Sequence, residues 1–208
     1  MGFERGDHVC AVYATPAELA EEVAAFLAEG LGRRQRCWYV GVGPEMDAVG
    51  RELLRLGIDV AAEVGRGALK LISGGEAYII HGTFSPEATV AVFNDAIEHA
   101  YAAGFTGFRA AAEMSWALEC ADGAHQVIVY EALLKSLFAS SRAVGLCLYD
   151  RSRMPLGVLN GALVTHPIVG SRGRYRANPF YDPTVTGSAP VREAEVLSRL
   201  EQLDGTAG

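Results

Sequence analysis

Gly6-Asp7-His8-Val9-Cys10-Ala11-Val12-Tyr13-Ala14-Thr15-Pro16-Ala17 decides the fold. The run to Tyr13 reads as a first strand that opens directly into a helix beginning near Pro16. Thr15 is placed to cap that helix and Pro16 to occupy its first position. In an open α/β sheet, this strand-to-helix junction lies where ligands usually sit, beyond the carboxyl ends of the strands. Phosphate-binding folds place a glycine-rich loop there. Tyr13-Ala14-Thr15-Pro16-Ala17 contains neither glycine nor lysine. The position of a nucleotide site is kept while its chemistry is replaced by His, Cys and Tyr.

Outward from this stretch, apolar residues recur with helical spacing from Ala17 to Leu31, and Cys37 to Val42 reads as a buried strand. The spacing predicts further helices over Glu45–Leu56, Pro86–Ala103, His125–Ser140 and Pro155–Val164, with Gly57 and Gly104 as stops. Strands are expected at Leu69–Ile72, Phe108–Ala112 and Ala143–Tyr149, and a return strand begins at His166. Gly74-Gly75 reads as a turn, and Arg174 to Tyr181 as a polar, aromatic segment. Strands alternating with helices predict a three-layer α/β fold with a largely parallel central sheet. One domain over residues 1–183 is expected, followed over 184–208 by a linker and an amphipathic helix, Val191 to Leu203. That helix docks on its own domain or on a partner.

The 208 residues carry a net charge of −7, and half of them are hydrophobic. A packed core is therefore expected, and direct binding to nucleic acid or to an anionic membrane is disfavoured. Charges in the first residues argue against a signal peptide, and no apolar run is long enough to span a bilayer. The scattered cysteines Cys10, Cys37, Cys120 and Cys147 form no C-x-x-C pair. They read as free thiols of a cytoplasmic protein. There is no G-x-x-x-x-G-K-[ST] loop, no G-x-S-x-G elbow and no H-E-x-x-H pair. Gly41-Val42-Gly43-Pro44 lacks the later glycine of a dinucleotide fingerprint.

The order of landmarks resembles the MEDS domain, a sensory domain of methanogen and methylotroph regulators. The resemblance rests on His8-x-Cys10 with Tyr13, Glu29-Gly30-Leu31, Cys37-Trp38-Tyr39-Val40, Tyr78, Gly82-Thr83-Phe84 and Gly107-Phe108-Arg109. It continues through Glu113-Met114-Ser115-Trp116, Tyr130-Glu131, Cys147-Leu148-Tyr149-Asp150 and Thr165-His166-Pro167, spanning about Asp7 to Pro179. The resemblance implies a RecA-like layout without a phosphate loop and a role in sensing small molecules. It also implies coupling to a regulatory protein: a kinase, an anti-sigma factor or a transcription factor.

Eight residues are candidates for lining a ligand crevice: His8, Cys10, Tyr13, Glu113, Trp116, Tyr149, Asp150 and His166. His8 and Cys10 lie two apart on a strand and so share a face. They could begin a metal site completed by His166, Glu113 or Asp150, line an organic-ligand site, or be core residues. Glu113 manages a metal or water, or caps the helix that carries Trp116. Trp116 is a pocket wall or a core ring. Tyr13 and Tyr149 are placed to flank the crevice. Asp150 could bond a ligand or orient His8 or His166. His166 is held extended by Pro167 and could act as ligand, base or switch. Glu131, in an apolar helix, needs a buried partner such as Arg109. The favoured reading is a sensory or regulatory domain with its ligand at the carboxyl edge of the sheet. The rival is a metal-assisted or acid–base enzyme using His8, Glu113 and His166. Metal and cofactor identity are left open.

Overall fold

A computed structural model of the chain describes residues 2–80, 83–120, 123–186 and 192–205. Gly82 of the Gly82-Thr83-Phe84 landmark and Val191 of the last helix lie outside the described residues. The elements in chain order are β1 (His8–Tyr13), α1 (Pro16–Gly32), β2 (Arg36–Gly41), α2 (Gly43–Arg55), α3 (Val60–Gly65) and β3 (Leu69–Ser73). Next come α4 (Gly74–Tyr78), the short β4 (Ile79–Ile80) and β5 (Thr83–Phe84), α5 (Pro86–Ala102) and β6 (Phe108–Glu113). A 3₁₀ turn over Ser115–Glu119 leads to α6 (Gly123–Ser140), β7 (Ala143–Asp150), α7 (Leu156–Thr165), β8 (Ile168–Ser171), β9 (Arg174–Ala177) and α8 (Glu193–Gly205).

The main sheet has seven strands in the order β3-β2-β6-β7-β1-β8-β9. Every pairing is parallel except that of β9, which runs antiparallel to β8. β1, β6 and β7 are buried along their whole lengths, as strands covered on both faces must be. α1 and α2 cover one face, with Leu19, Val23, Leu27, Val49 and Leu53 in its core. α5, α6, α7 and α8 cover the other, with Phe93, Leu134, Val158 and Val196. The expected three-layer, mainly parallel α/β fold is the one observed. Val196 and Leu200 are buried, and Arg199 Nη1 donates to Asn160 Oδ1 at 2.7 Å, so α8 packs on its own domain.

Local chemistry explains the boundaries. Thr15 caps α1 by accepting from the Glu18 amide at 3.2 Å. α5 ends at Gly104, whose φ of +82° is left-handed. The following amide of Phe105 then reaches back to Ala100 O at 3.1 Å. Gly30 makes room beneath α1, where a Cβ would lie 2.7 Å from both Arg109 Cδ and Cys37 Sγ. Arg109 is fully buried there, donating to Gln35 Oε1 at 2.8 Å, Phe26 O at 3.0 Å and Glu29 Oε2 at 2.9 Å.

Several segments differ from the sequence expectation: α3 and the β4 and β5 strands fall where no element is expected. Gly74-Gly75 starts the short α4 instead of a turn. The polar segment after Gly170 contains the edge strand β9. Arg172 and Gly173 both have positive φ (51° and 72°), which closes a two-residue hairpin between the paired Ser171 and Arg174. Arginine is a poor signal for such a turn. Its side chain is held by Glu18, with Nε at 3.0 Å from Oε1.

Phe138 packs against Gly145 in β7, where a Cβ would come within 2.4 Å of its ring. Gly145→Ala is therefore expected to destabilise the fold by about 1–3 kcal/mol through overpacking. Urea denaturation checks this: the midpoint should fall with an unchanged slope.

Candidate functional site

Side chains of a strand alternate between its faces, and this parity sorts the candidates. In β1, Cys10 and Val12 point to the α5–α6–α7 side, whereas Val9, Ala11 and Tyr13 point to the α1–α2 side. In β7, Cys147 and Tyr149 take the first side and Leu146 and Leu148 the second. His8 follows the parity of Cys10, and its ring lies 5.1 Å from that of Phe138. Two polar clusters result, one on each face.

The first cluster is buried between the sheet and helices α6 and α7. Glu131 of α6 is fully buried, and its Oε2 lies 3.1 Å from His8 Nε2 and 3.2 Å from His166 Nε2. Cys147 Sγ lies 3.5 Å from both His8 Nε2 and Glu131 Oε2. The Tyr149 hydroxyl donates to the other oxygen of Glu131. The imidazoles of His8 and His166 are 4.0 Å apart, centre to centre. His166 Nδ1 lies 2.8 Å from Ala162 O, so that nitrogen carries a proton, since a carbonyl only accepts. Burial, and then the neighbouring His166, push the His8 pKa down to about 4, which keeps it neutral. Burial alone would raise Glu131. The two histidines outweigh it and hold the carboxyl below the ordinary range. Burial, reinforced by Glu131, pushes the Cys147 thiol well up.

The second cluster sits at the carboxyl ends of β1, β2 and β6. The Tyr13 hydroxyl donates to Glu113 Oε1 at 3.0 Å. The Ser115 amide donates to the same oxygen at 3.0 Å, and Ser115 Oγ to Oε2 at 2.6 Å. Tyr39 runs along β2 past Gly41, where a Cβ would collide with its hydroxyl. That hydroxyl is buried without a partner among the described residues, and so is Oε2 of Glu45 in the first turn of α2. Burial raises Glu113, with the Ser115 and Tyr13 bonds opposing. Burial, and then the nearby Glu113, push Glu45 up to about 7, with Arg153 opposing. Asp150 is turned to local work: its Oδ1 accepts from the Ser152 amide at 2.8 Å and from Ser152 Oγ at 2.6 Å. The amino end of α1 is already occupied. Glu18 Oε2 accepts from the Ala14 amide at 2.8 Å, in the manner of a capping box.

The eight candidates therefore do not share one crevice. Tyr13 and Glu113 meet at the carboxyl edge, with Asp150 beside Tyr13 in the strand register. His8, Tyr149 and His166 meet on the opposite face. Cys10 is the strand neighbour of Cys147 and stays in the core, outside the converging group. Trp116 is a core ring, stacked on Tyr78 at 4.1 Å. Glu131 is paired with histidines, and Arg109, its expected partner, faces the other helical layer. An acid–base set of His8, Glu113 and His166 is not assembled, because the sheet separates Glu113 from the histidines. Glu131 and Cys147 join the histidines in place of Glu113 and Asp150. Strand register could have found Cys147, since it pairs with Cys10 in the same parity as His8. Tyr39 stands in the sequence only as part of a family landmark inside a strand, and Glu45 only at the start of a helix; neither marks a site by itself.

Glu45 gives the fold a pH dependence of defined sign. A carboxyl whose folded pKa is raised binds its proton more tightly when folded, so it favours the fold at low pH and loses that contribution as pH rises through about 7. Glu45→Gln is expected to flatten the decline of stability between about pH 5 and pH 8. Thermal unfolding of both proteins across that range checks it, and parallel curves would contradict it.

No curated protein matches the chain. Among solved structures it is similar to the flagellar accessory protein FlaH from Methanocaldococcus jannaschii, with a TM-score of 0.54 and 13% identity over 81% of this chain and 71% of that one. The shared architecture is RecA-like. No helix among the described residues is long and apolar enough to cross a membrane. Residues 7–167 match the family described as MEDS, the methanogen/methylotroph, DcmR sensory domain, and the chain belongs to that family of sensory domains.

Proposed function

We propose that the chain senses a small organic molecule bearing N–H or O–H donors, bound at the carboxyl edge of the sheet against Tyr13, Tyr39, Glu45 and Glu113. The observation that carries this reading is the pair of buried polar atoms without partners among the described residues, Tyr39 Oη and Glu45 Oε2, beside a carboxyl–tyrosine pair. Buried polar atoms are costly unless bonded, and a donor-bearing ligand would satisfy both. The edge does not suit a nucleotide: the α1 amino end is capped by Glu18, and acids stand where phosphates would lie. Asp150 shapes the rim through its turn with Ser152.

Binding there would act on a regulatory protein (a kinase, an anti-sigma factor or a transcription factor) by favouring one arrangement of the edge loops. A ligand shifts such an equilibrium only by as much as its affinities for the two arrangements differ. Neither nucleic acid nor membrane is required.

Titration of isotope-labelled protein with ethanolammonium, and separately with ADP, tests the site. Ethanolammonium is expected to move the amide resonances of Ala14, Val42 and Ser115, and ADP to leave them in place. Tyr39→Phe or Glu113→Gln should weaken the amine about tenfold, the equivalent of one hydrogen bond of about 1.4 kcal/mol. Binding of ADP at these amides, or variants that bind ethanolammonium as well as the parent, would overturn the reading.

A further inference from the structure

We propose that His8, Glu131, Cys147 and His166 form a closed, four-coordinate site for a divalent transition metal, with Zn²⁺ the ion the set fits best. This inference is independent of the carboxyl-edge site and lies on the other face of the sheet.

The first argument is geometric. Zn²⁺ binds histidine nitrogen and carboxylate oxygen at about 2.0–2.2 Å and thiolate sulfur at about 2.3 Å. In a tetrahedron those bonds set neighbouring N and O atoms about 3.3 Å apart, and S about 3.5 Å from either. The observed separations are 3.1 Å from His8 Nε2 to Glu131 Oε2, 3.2 Å from His166 Nε2 to Oε2, and 3.5 Å from Cys147 Sγ to both His8 Nε2 and Oε2. All four donor atoms lie within 4.8 Å of one another, so the widest pair must draw in when the ion binds.

The second argument is orientation. His166 Nδ1 donates to Ala162 O, which directs Nε2 at Glu131 Oε2 3.2 Å away. A proton or a metal ion between them would stabilise that contact, and Nε2 is buried with no well-aligned hydrogen bond among the described residues, which favours the metal. The bond at Nδ1 fixes the ring as metal-bound histidines require. The Tyr149 hydroxyl orients Glu131 in the same way through the carboxylate's other oxygen.

The third argument is charge. A divalent ion, one carboxylate, one thiolate and two neutral imidazoles sum to zero, the charge a buried site tolerates best. On binding, the thiol proton of Cys147 leaves to solvent and its sulfur bonds the metal. Nitrogen and sulfur donors select Zn²⁺ over Mg²⁺ or Ca²⁺. With every ligand supplied by the protein and buried, the ion would tie α6 and α7 to β1 and β7, with no position left open for water.

The test is metal analysis of the full chain purified without chelator, followed by refolding with Co²⁺. About one metal per chain is expected. The Co²⁺ form should show the intense visible bands of tetrahedral coordination and a sulfur-to-cobalt charge-transfer band. Cys147→Ser, nearly equal in volume, should abolish the charge-transfer band, and His166→Ala should lower metal content at least tenfold. Cys10→Ser, at the neighbouring thiol, should leave both unchanged. Should His166→Ala fail to fold, loss of the charge-transfer band in Cys147→Ser with its retention in Cys10→Ser still assigns the site. A chain without metal both as purified and after refolding with equimolar Zn²⁺ overturns the proposal. So does a cobalt spectrum that Cys147→Ser leaves intact.

Discussion

The buried carboxylate of Glu131 is the constraint around which one half of the molecule is arranged. A lone ionised carboxyl inside hydrocarbon costs several kcal/mol, on the order of what stabilises a whole domain. Here it is approached by His8 from β1, Cys147 and Tyr149 from β7, and His166 from the end of α7. Those elements are adjacent in the fold only when β1 pairs with β7 and α6 and α7 lie side by side on that pair. A polar group this costly to bury also specifies how the layers dock, because its partners come from β1, β7 and the end of α7. An apolar residue at 131 would pack with fewer demands on its neighbours.

The carboxyl edge is built on the opposite logic. RecA-like sheets leave a concave rim where β1 runs into α1, and a helix amino end there ordinarily attracts anions. In this chain Glu18 turns back on the Ala14 amide and also holds Arg172 of the β8–β9 hairpin. That end is thereby neutralised from within. Glu113 and Glu45 then supply acceptors, where a phosphate cradle would supply donors. The same architecture presents a rim of reversed polarity, in keeping with membership of a family of sensory domains.

Much of this was legible in the sequence, for reasons particular residues make plain. Thr15-Pro16 and Gly104 marked helix ends because capping and left-handed φ are local chemistry, visible without tertiary knowledge. Continuous apolar strands gave the covered parallel sheet. The candidate site was harder. His8, Glu113 and His166 were each recognisable as chemically active, but their grouping depended on parity relative to a fixed register. That register is a property of the assembled sheet. Glu131 was visible as a buried acid in need of a partner. Arg109 was the nearest cation by type, yet Gly30, Gln35 and Glu29 had already made a place for it under α1. Tyr39 and Glu45 become notable only once Gly41 is seen to let the tyrosine ring reach the rim.

The two clusters are separated by the thickness of the sheet but not by chain. Tyr149 bonds Glu131 on one face, and the next residue, Asp150, shapes the rim on the other. β1 does the same, with His8 beside Glu131 and Tyr13 beside Glu113. Close-packed interiors do not deform continuously, so a strand held at both ends by directional bonds moves as a unit or not at all. Anything that fixes the Glu131 cluster thereby fixes the positions from which Tyr13 and Asp150 project. β1 and β7 are thus shared by the two clusters, and one register, with His8 beside Gly145 and Tyr13 beside Asp150, places both.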